Sequence, residues 1–192
     1  MKRTGGLLIA GLAGLLFLAP VAPTALGQDP QDKVICRIIY VPTPEVVVDK
    51  MFSMAQIKEG DVVYDLGCGD GRICAMAAVK HRCKAVGVDI DPARIKDCAE
   101  TMKRYKVPAG MVDIRQGDAL KVKDLEKATV IMLYMLPEFM EKLEKQVEKL
   151  KPGTRIVAHD YPFPNWKADQ VVECKGPDRE HTLYLWTVRE KK

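Results

Sequence analysis

Three glycines in five positions, directly after an apolar and β-branched run, are the strongest constraint on how this chain of 192 residues folds. The run Asp61-Val-Val-Tyr-Asp65-Leu66 reads as a buried strand. Gly67, Gly69 and Gly71 follow at once, where they let the backbone turn sharply and approach a ligand closely. Glycine clusters also end ordinary strands, so the surroundings matter. About twenty residues on, Ala85-Val-Gly-Val-Asp89-Ile-Asp91 reads as a second strand ending in carboxylates, the place where a βαβ unit sets an acid against ribose hydroxyls. Asp89 is the ribose candidate.

The sign of the charge narrows the ligand. A dinucleotide loop reads G-x-G-x-x-G, whereas this one carries Asp65 at its head and Asp70 inside it. An acid in the loop repels pyrophosphate. It suits a ligand with an amino group and a sulfonium, which favours S-adenosylmethionine over NAD or ATP.

Helix and strand patterns alternate along the rest of the chain. Apolar residues at helical spacing between Pro44 and Ile57 predict a leading helix, after an extended Tyr40-Val-Pro-Thr-Pro44. Helices are expected from Gly71 to Lys80, from Pro92 to Tyr105 and from Pro137 to Leu150, the last with Phe139, Leu143, Val147 and Leu150 on one face. Strands are expected near 84–89, 111–115, 129–133 and 155–158, and two further runs near 169–174 and 182–188 lack a helix between them. The fold class is therefore α/β: a single doubly wound, Rossmann-like domain with a mostly parallel seven-stranded sheet and an antiparallel C-terminal hairpin.

At 47% hydrophobic content the chain is long enough for one full core and short for two. Residues 1–27 form a separate piece: Lys2-Arg3, an uncharged run rich in Leu, Ala and Gly, then Ala25-Leu26-Gly27, which reads as a secretory signal peptide or an uncleaved N-terminal anchor. Either reading exports the domain at 28–192 or anchors it to a membrane, away from a cofactor made in the cytosol, with membrane contact only if the segment is uncleaved. The net charge of +4 includes Lys2 and Arg3 and is spread evenly, so no nucleic-acid partner is expected. The six cysteines, Cys36, Cys68, Cys74, Cys83, Cys98 and Cys174, permit disulfides in an oxidising compartment without requiring them, and with Cys74 and Cys98 at buried helix positions and Cys68 in the glycine loop they read as small buried hydrophobes. With His81, His159 and His181 the only histidines and no C-x-x-C, no metal site is expected.

The stretch Asp65-Leu-Gly-Cys-Gly-Asp-Gly71, with Gly87-Val-Asp89 and Gln116-Gly-Asp118, resembles the class I, seven-β-strand S-adenosylmethionine-dependent methyltransferases from about residue 40 to 188. The resemblance implies that Asp65, Gly67 and Gly69 line the methionine portion of the cofactor, that Asp89 binds the ribose hydroxyls and that Asp118 lies near the adenine amino group. It also implies the strand order 3-2-1-4-5-7-6. A narrower likeness rests on Val41-Pro-Thr-Pro44, Gly69-Asp-Gly-Arg72 and Tyr161-Pro-Phe-Pro-Asn-Trp166. These are similar to segments of the mitochondrial protein-lysine methyltransferases that modify the adenine nucleotide translocase and the c-ring protein of ATP synthase, although His159-Asp160 departs from their pattern. That likeness implies a protein lysine as acceptor. A small-molecule acceptor and a cofactor-binding module without turnover are the alternatives.

Methyl transfer asks the protein to position a nucleophile, to exclude water and, for lysine, to remove a proton. Three residues are the catalytic candidates. Tyr134 follows the fourth strand and faces either the acceptor or only the rim. His159 and Asp160 follow the fifth, as base or substrate contact, or else as sheet-end packing and a turn cap. Thr43 is a candidate for the cofactor's amino-acid end or simply a helix start. Tyr161, Phe163 and Trp166 either flank a cationic side chain or cover the core. Tyr134-Met-Leu-Pro137 lacks the Asp/Asn-Pro-Pro-aromatic run of methyltransferases acting on nucleic-acid bases.

Overall fold

The structure is a computed structural model that describes residues 40–190. The leader at 1–27 and Cys36 lie outside the described residues. The first element is α1 (Glu45–Ala55), entered through Pro44 and left where Gln56 turns left-handed at φ 48°. It is followed by β1 (Val62–Leu66), α2 (Arg72–His81), β2 (Lys84–Asp89), α3 (Pro92–Arg104), β3 (Val112–Gln116), β4 (Val130–Leu133), α4 (Pro137–Val147), β5 (Arg155–His159), β6 (Gln170–Lys175) and β7 (Glu180–Thr187). Two short 3₁₀ turns, Ala119–Lys121 and Leu125–Lys127, lie between β3 and β4 and carry no clear signal in the sequence.

The strands form one sheet in the order β3-β2-β1-β4-β5-β7-β6. Neighbours are parallel as far as β5, and β7 is antiparallel to both β5 and β6. Strand alternation splits the core into two layers. Val63, Val130, Met132 and Val157 pack with α1 and α2 on one face, while Tyr64, Leu66, Ile131, Leu133, Ile156 and Ala158 pack with α4 and Trp186 on the other. The expected face of α4 meets the core: Leu143 and Val147 are buried and Phe139 and Leu150 pack against the same layer partly exposed, with Met140 and Glu144 buried beside them. Glu144 turns inward and accepts the backbone N–H of Asn165 at 3.2 Å. Cys68, Cys74, Cys83 and Cys98 are free and buried, and Cys174 is free and partly exposed.

The strand order reverses between β1 and β4, so the ligand crevice opens beyond their carboxyl ends. The opposite end is closed by a buried ion pair. Arg155, at the start of β5, binds the Asp61 carboxylate and donates to the carbonyls of Ala55 at 2.6 Å and Gln56 at 3.1 Å. Asp61 also accepts the Thr129 hydroxyl at 2.7 Å and the Lys58 N–H at 2.9 Å. Burial pushes the Asp61 carboxyl up, but the Thr129 hydroxyl, the Lys58 N–H and Arg155 outweigh it and hold it below 3.8.

One network thus joins the end of α1 to the starts of β1, β4 and β5. Removing one partner leaves the other buried and unpaired. Arg155→Met is expected to destabilise the fold by about 3 kcal/mol, read as a lowered urea midpoint. Asp61 contributes its stability above its ordinary unfolded value and loses it as pH falls through the depressed folded one, so the gap between wild type and variant should close below about pH 4.

Candidate active site

The glycine loop leaves β1 with Gly67 at φ 86°, Gly69 at φ 55° and Gly71 at φ 76°. The first two conformations also leave no room for a side chain. A Cβ on Gly67 would stand 2.2 Å from the Met135 sulfur, and one on Gly69 would stand 2.3 Å from the Tyr40 ring. The loop is fastened to β2: Gly67 and Cys68 donate to the Val88 carbonyl at 2.8 and 3.0 Å, and Gly69 N–H donates to Asp89 Oδ2 at 2.8 Å. Asp89 Oδ1 accepts the Asp91 N–H at 2.9 Å, so this carboxylate shapes the loop and still faces the crevice with its remaining lone pairs.

Asp65, near the end of β1 on the face of Val63, is 2% exposed, and its Oδ2 is buried without a hydrogen-bond partner. Burial, then the charges of Asp89 and Asp70, push its carboxyl up to about 8. A buried oxygen of this kind is a receptor for a cationic hydrogen-bond donor. Asp70 behaves differently from expectation. Its carboxylate is taken by Arg72, at 2.8 Å to Nη2 and 3.0 Å to Nε, so its charge is engaged within the loop. Asp118 lies after β3, capping the following turn through the Leu120 N–H at 2.9 Å, with Lys121 at 3.2 Å.

Tyr40 is a loop partner that sequence reasoning passes over. Its ring lies over Gly69, its hydroxyl accepts the Asp70 N–H at 3.3 Å, and the Arg94 guanidinium stands 4.5 Å from its ring centre. Burial and the neighbouring Asp70 push its phenol up to about 12.

Tyr134, His159 and Asp160 come together at the ends of β4 and β5. The His159 ring lies 3.9 Å from the Tyr134 ring, tilted by 30°, and Tyr161 stands beyond it, nearly parallel to Tyr134 at 6.3 Å. Asp160 has φ 62°, with Tyr161 N–H donating to the His159 carbonyl at 2.8 Å across it, a tight γ-turn. Its carboxylate binds Arg179, accepts the Thr182 N–H at 3.1 Å and lies 3.4 Å from His159 Nε2. Burial would raise the Asp160 carboxyl, but Arg179 and His159 hold it below the usual carboxylate range. With its lone pairs engaged and its basicity lowered, Asp160 is poorly suited to take a proton. It orients Arg179, which donates to the Tyr134 hydroxyl at 3.4 Å.

The aromatic segment after β5 divides. Phe163 is buried against Trp186 at 4.8 Å, and the Trp166 carbonyl accepts the Trp186 indole N–H at 2.8 Å, so these two rings cover the core. Only Tyr161 stays with the site.

Thr43, before α1, reaches the same place from another direction. Its hydroxyl is 3.1 Å from His159 Nδ1, and its carbonyl accepts from Arg72 at 3.2 Å. His159 Nε2 in turn is 2.8 Å from His181 Nδ1. Arg179 and His181, both contributed by the β6–β7 hairpin, are not singled out by the sequence. The one usable signal is the polar turn Gly176-Pro-Asp-Arg179 between two strands. His159, Asp160 and His181 offer potential metal-ligating atoms within 4.8 Å of one another. A cation there would compete with Arg179 for Asp160 and with the bond between the two rings. A hollow of about 440 Å³ lies beside the glycine loop, lined by Tyr40, Asp70, Arg72 and Arg104, and another of about 630 Å³ lies beside Trp166 and Arg189 at the far end of β7.

Comparison with known proteins identifies the family. Residues 65–170 match the ANTKMT methyltransferase domain. The chain is 40% identical over 158 residues to a protein-lysine N-methyltransferase of Saccharolobus islandicus, covering 81% of this chain and 97% of that one. It is 29% identical over 147 residues to the adenine nucleotide translocase lysine N-methyltransferase of Mus musculus, covering 74% of this chain and 61% of the mouse protein. Among solved structures, an RNA methyltransferase from Salinibacter ruber in complex with S-adenosyl-L-homocysteine shares 42% identity and a TM-score of 0.73, over 79% of this chain and 96% of the other. This chain belongs to the ANTKMT methyltransferase family and is an S-adenosylmethionine-dependent methyltransferase.

Proposed function

We propose that the acceptor is the ε-amino group of a lysine in a protein. The observation that carries this reading is the pair of nearly parallel rings, Tyr134 and Tyr161, at the ends of β4 and β5 beside the crevice. Flat aromatic walls suit the alkyl stem and charged head of a lysine, by apolar contact and by cation–π attraction. The relatives named as protein-lysine methyltransferases support it. The relative described as an RNA methyltransferase supplies the competing reading, against which stand the even spread of charge in the sequence and the segment Tyr134-Met-Leu-Pro137.

The residues at the crevice fit the cofactor. Asp65 would receive its ammonium group, the backbone at Gly67 and Gly69 would lie against its methionine portion, and Asp89 would take the ribose hydroxyls. Asp118 would face the adenine amino group. Bound there, S-adenosylmethionine supplies an electrophilic methyl carbon on a sulfonium that leaves as a neutral sulfide. The chain itself has to hold the amine in line, exclude water and discharge a proton. Tyr134 and Tyr161 align the amine, and Arg179, held by Asp160, fixes the Tyr134 hydroxyl.

Labelled methyl transfer into a total cell extract tests the acceptor. The label should follow protease-sensitive material and appear as methyllysine after hydrolysis; label lost to ribonuclease would overturn the lysine reading. A second test concerns Asp65. Its carboxyl must ionise to receive an ammonium, and at pH 7, about one unit below its value, roughly a tenth is ionised. Calorimetry should therefore find cofactor binding tightening as pH rises from about 6 toward 8, with a proton released from Asp65 on binding near neutrality. Asp65→Asn should bind more weakly and lose that dependence, and an unchanged pH dependence in the variant would remove Asp65 from the cofactor site.

A further inference from the structure

Two buried histidines bonded to each other link the site to the surface. Thr43 is 4% exposed, His159 1% and His181 2%. From Thr43 Oγ1 the path runs 3.1 Å to His159 Nδ1, from His159 Nε2 2.8 Å to His181 Nδ1, and from His181 Nε2 3.2 Å to Asp178 Oδ1. The Asp178 side chain is 64% exposed, so the path ends in solvent. Its other end sits between the glycine loop, to which Thr43 is tied through Arg72, and the Tyr134–His159 stack.

We infer that Thr43, His159, His181 and Asp178 form a proton exit that carries the acceptor's proton away from the methyl-transfer site to solvent. The inference rests on the amine acceptor proposed above. The carboxylate at the far end sets the polarity. Asp178 accepts from His181 Nε2–H, which leaves Nδ1 of a neutral ring to accept from His159 Nε2–H. His159 Nδ1 then accepts the Thr43 hydroxyl, and the Thr43 oxygen presents its free lone pairs to the acceptor. Discharge is a set of linked hops. The ammonium N–H passes its proton to Thr43 Oγ1 as the Thr43 proton moves to His159 Nδ1. The His159 Nε2 proton moves to His181 Nδ1, and the His181 Nε2 proton moves to Asp178 and on to water. The amine keeps the electron pair of the broken N–H bond, each relay group gains one proton and loses one, and the hydrogen bonds then point the other way until the rings reset.

Burial pushes His159 down to about 4 against the opposing pull of Asp160, so the resting ring is neutral and able to relay in both directions. The charged and titratable groups facing the two rings are Tyr134 after β4, Asp160 after β5, and Asp178 and Arg179 in the β6–β7 turn. Arg179 is occupied by Asp160, which leaves Asp178 as the open exit.

His181 and Asp178 act through His159 and are positioning residues, so their test needs more than a loss of rate. Methylation of heat-treated total cell protein, read as methyllysine, is followed from pH 6.5 to 10 for the full chain, Asp178→Asn and His181→Asn. Both variants should bind S-adenosylmethionine like wild type and keep KM. They should lose roughly tenfold to a hundredfold in kcat at pH 7, and the loss should close toward pH 10, near the ordinary lysine value of about 10.4, where the acceptor arrives already neutral. Nitrogen-15 spectra of the unliganded wild type should show protonated Nε2 and bare Nδ1 on both His159 and His181. A loss equal at every pH, a change confined to KM, or a proton resting on His159 Nδ1 would overturn the relay while leaving the lysine reading intact. A wild type that makes no methyllysine would overturn both.

Discussion

A carboxylate oxygen buried without a partner at the end of β1 is the constraint around which the carboxyl edge of this sheet is arranged. Asp65 Oδ2 makes no hydrogen bond, and the nearby Asp89 and Asp70 disfavour its charge. An orphaned buried polar group costs about 1–3 kcal/mol. Nothing in the packing of β1 requires an acid there, since Val63 on the same face is apolar and fully buried. The acid makes sense as half of an interaction whose other half arrives with a cationic ligand. Around it, Asp89 holds Gly69 by its N–H and Arg72 engages the Asp70 carboxylate.

The two ends of the sheet use buried polarity differently. At the amino ends, Asp61, Arg155 and Thr129 satisfy one another and four segments are locked together. At the carboxyl ends, satisfaction is incomplete at Asp65, and Asp160 sits at positive φ. Such positions persist only where surrounding structure over-determines them. The double anchoring of Asp160 to Thr182, N–H to carbonyl at 2.7 Å and carboxylate to N–H at 3.1 Å, does this here. Rigidity at one end allows an unrelaxed site at the other.

The fold is legible in the sequence because its signals are local. The loop glycines, Pro92 at the start of α3 and the alternation of β1 each reflect backbone geometry within a few residues, and the strand order follows from the family resemblance. The site is legible in part. Thr43, Tyr134, His159 and Asp160 stand out, and the structure brings them together, because each stands at an element end that faces the crevice. Tyr40, Asp178, Arg179 and His181 do not, because their meaning is a partnership across the sheet: 116 positions separate Thr43 from His159, and 22 separate His159 from His181. Asp70 misleads for the same reason, since its charge points to a ligand only while the guanidinium two residues on is ignored. Phe163 and Trp166 show the converse, aromatic residues that look like a cation cage in sequence but pack on Trp186.

The antiparallel hairpin also gains a purpose. A purely parallel sheet ending at β5 would leave His159 and Asp160 on an edge with solvent beside them. β7 runs back along β5 and pairs His159 with Leu183, which places Thr182 and His181 against the strand end and brings the β6–β7 turn over it. From that turn come the guanidinium that engages Asp160 and the carboxylate that closes the histidine path. The glycine-loop end of the crevice is built by β1 and β2, whereas the surroundings of Tyr134, His159 and Asp160 depend on β4, β5 and a turn that reaches them only because the last two strands reverse. Changes in that turn can therefore alter the partners of His159 and Asp160 while the glycine loop stays as it is, a separation that lets one scaffold carry different sites.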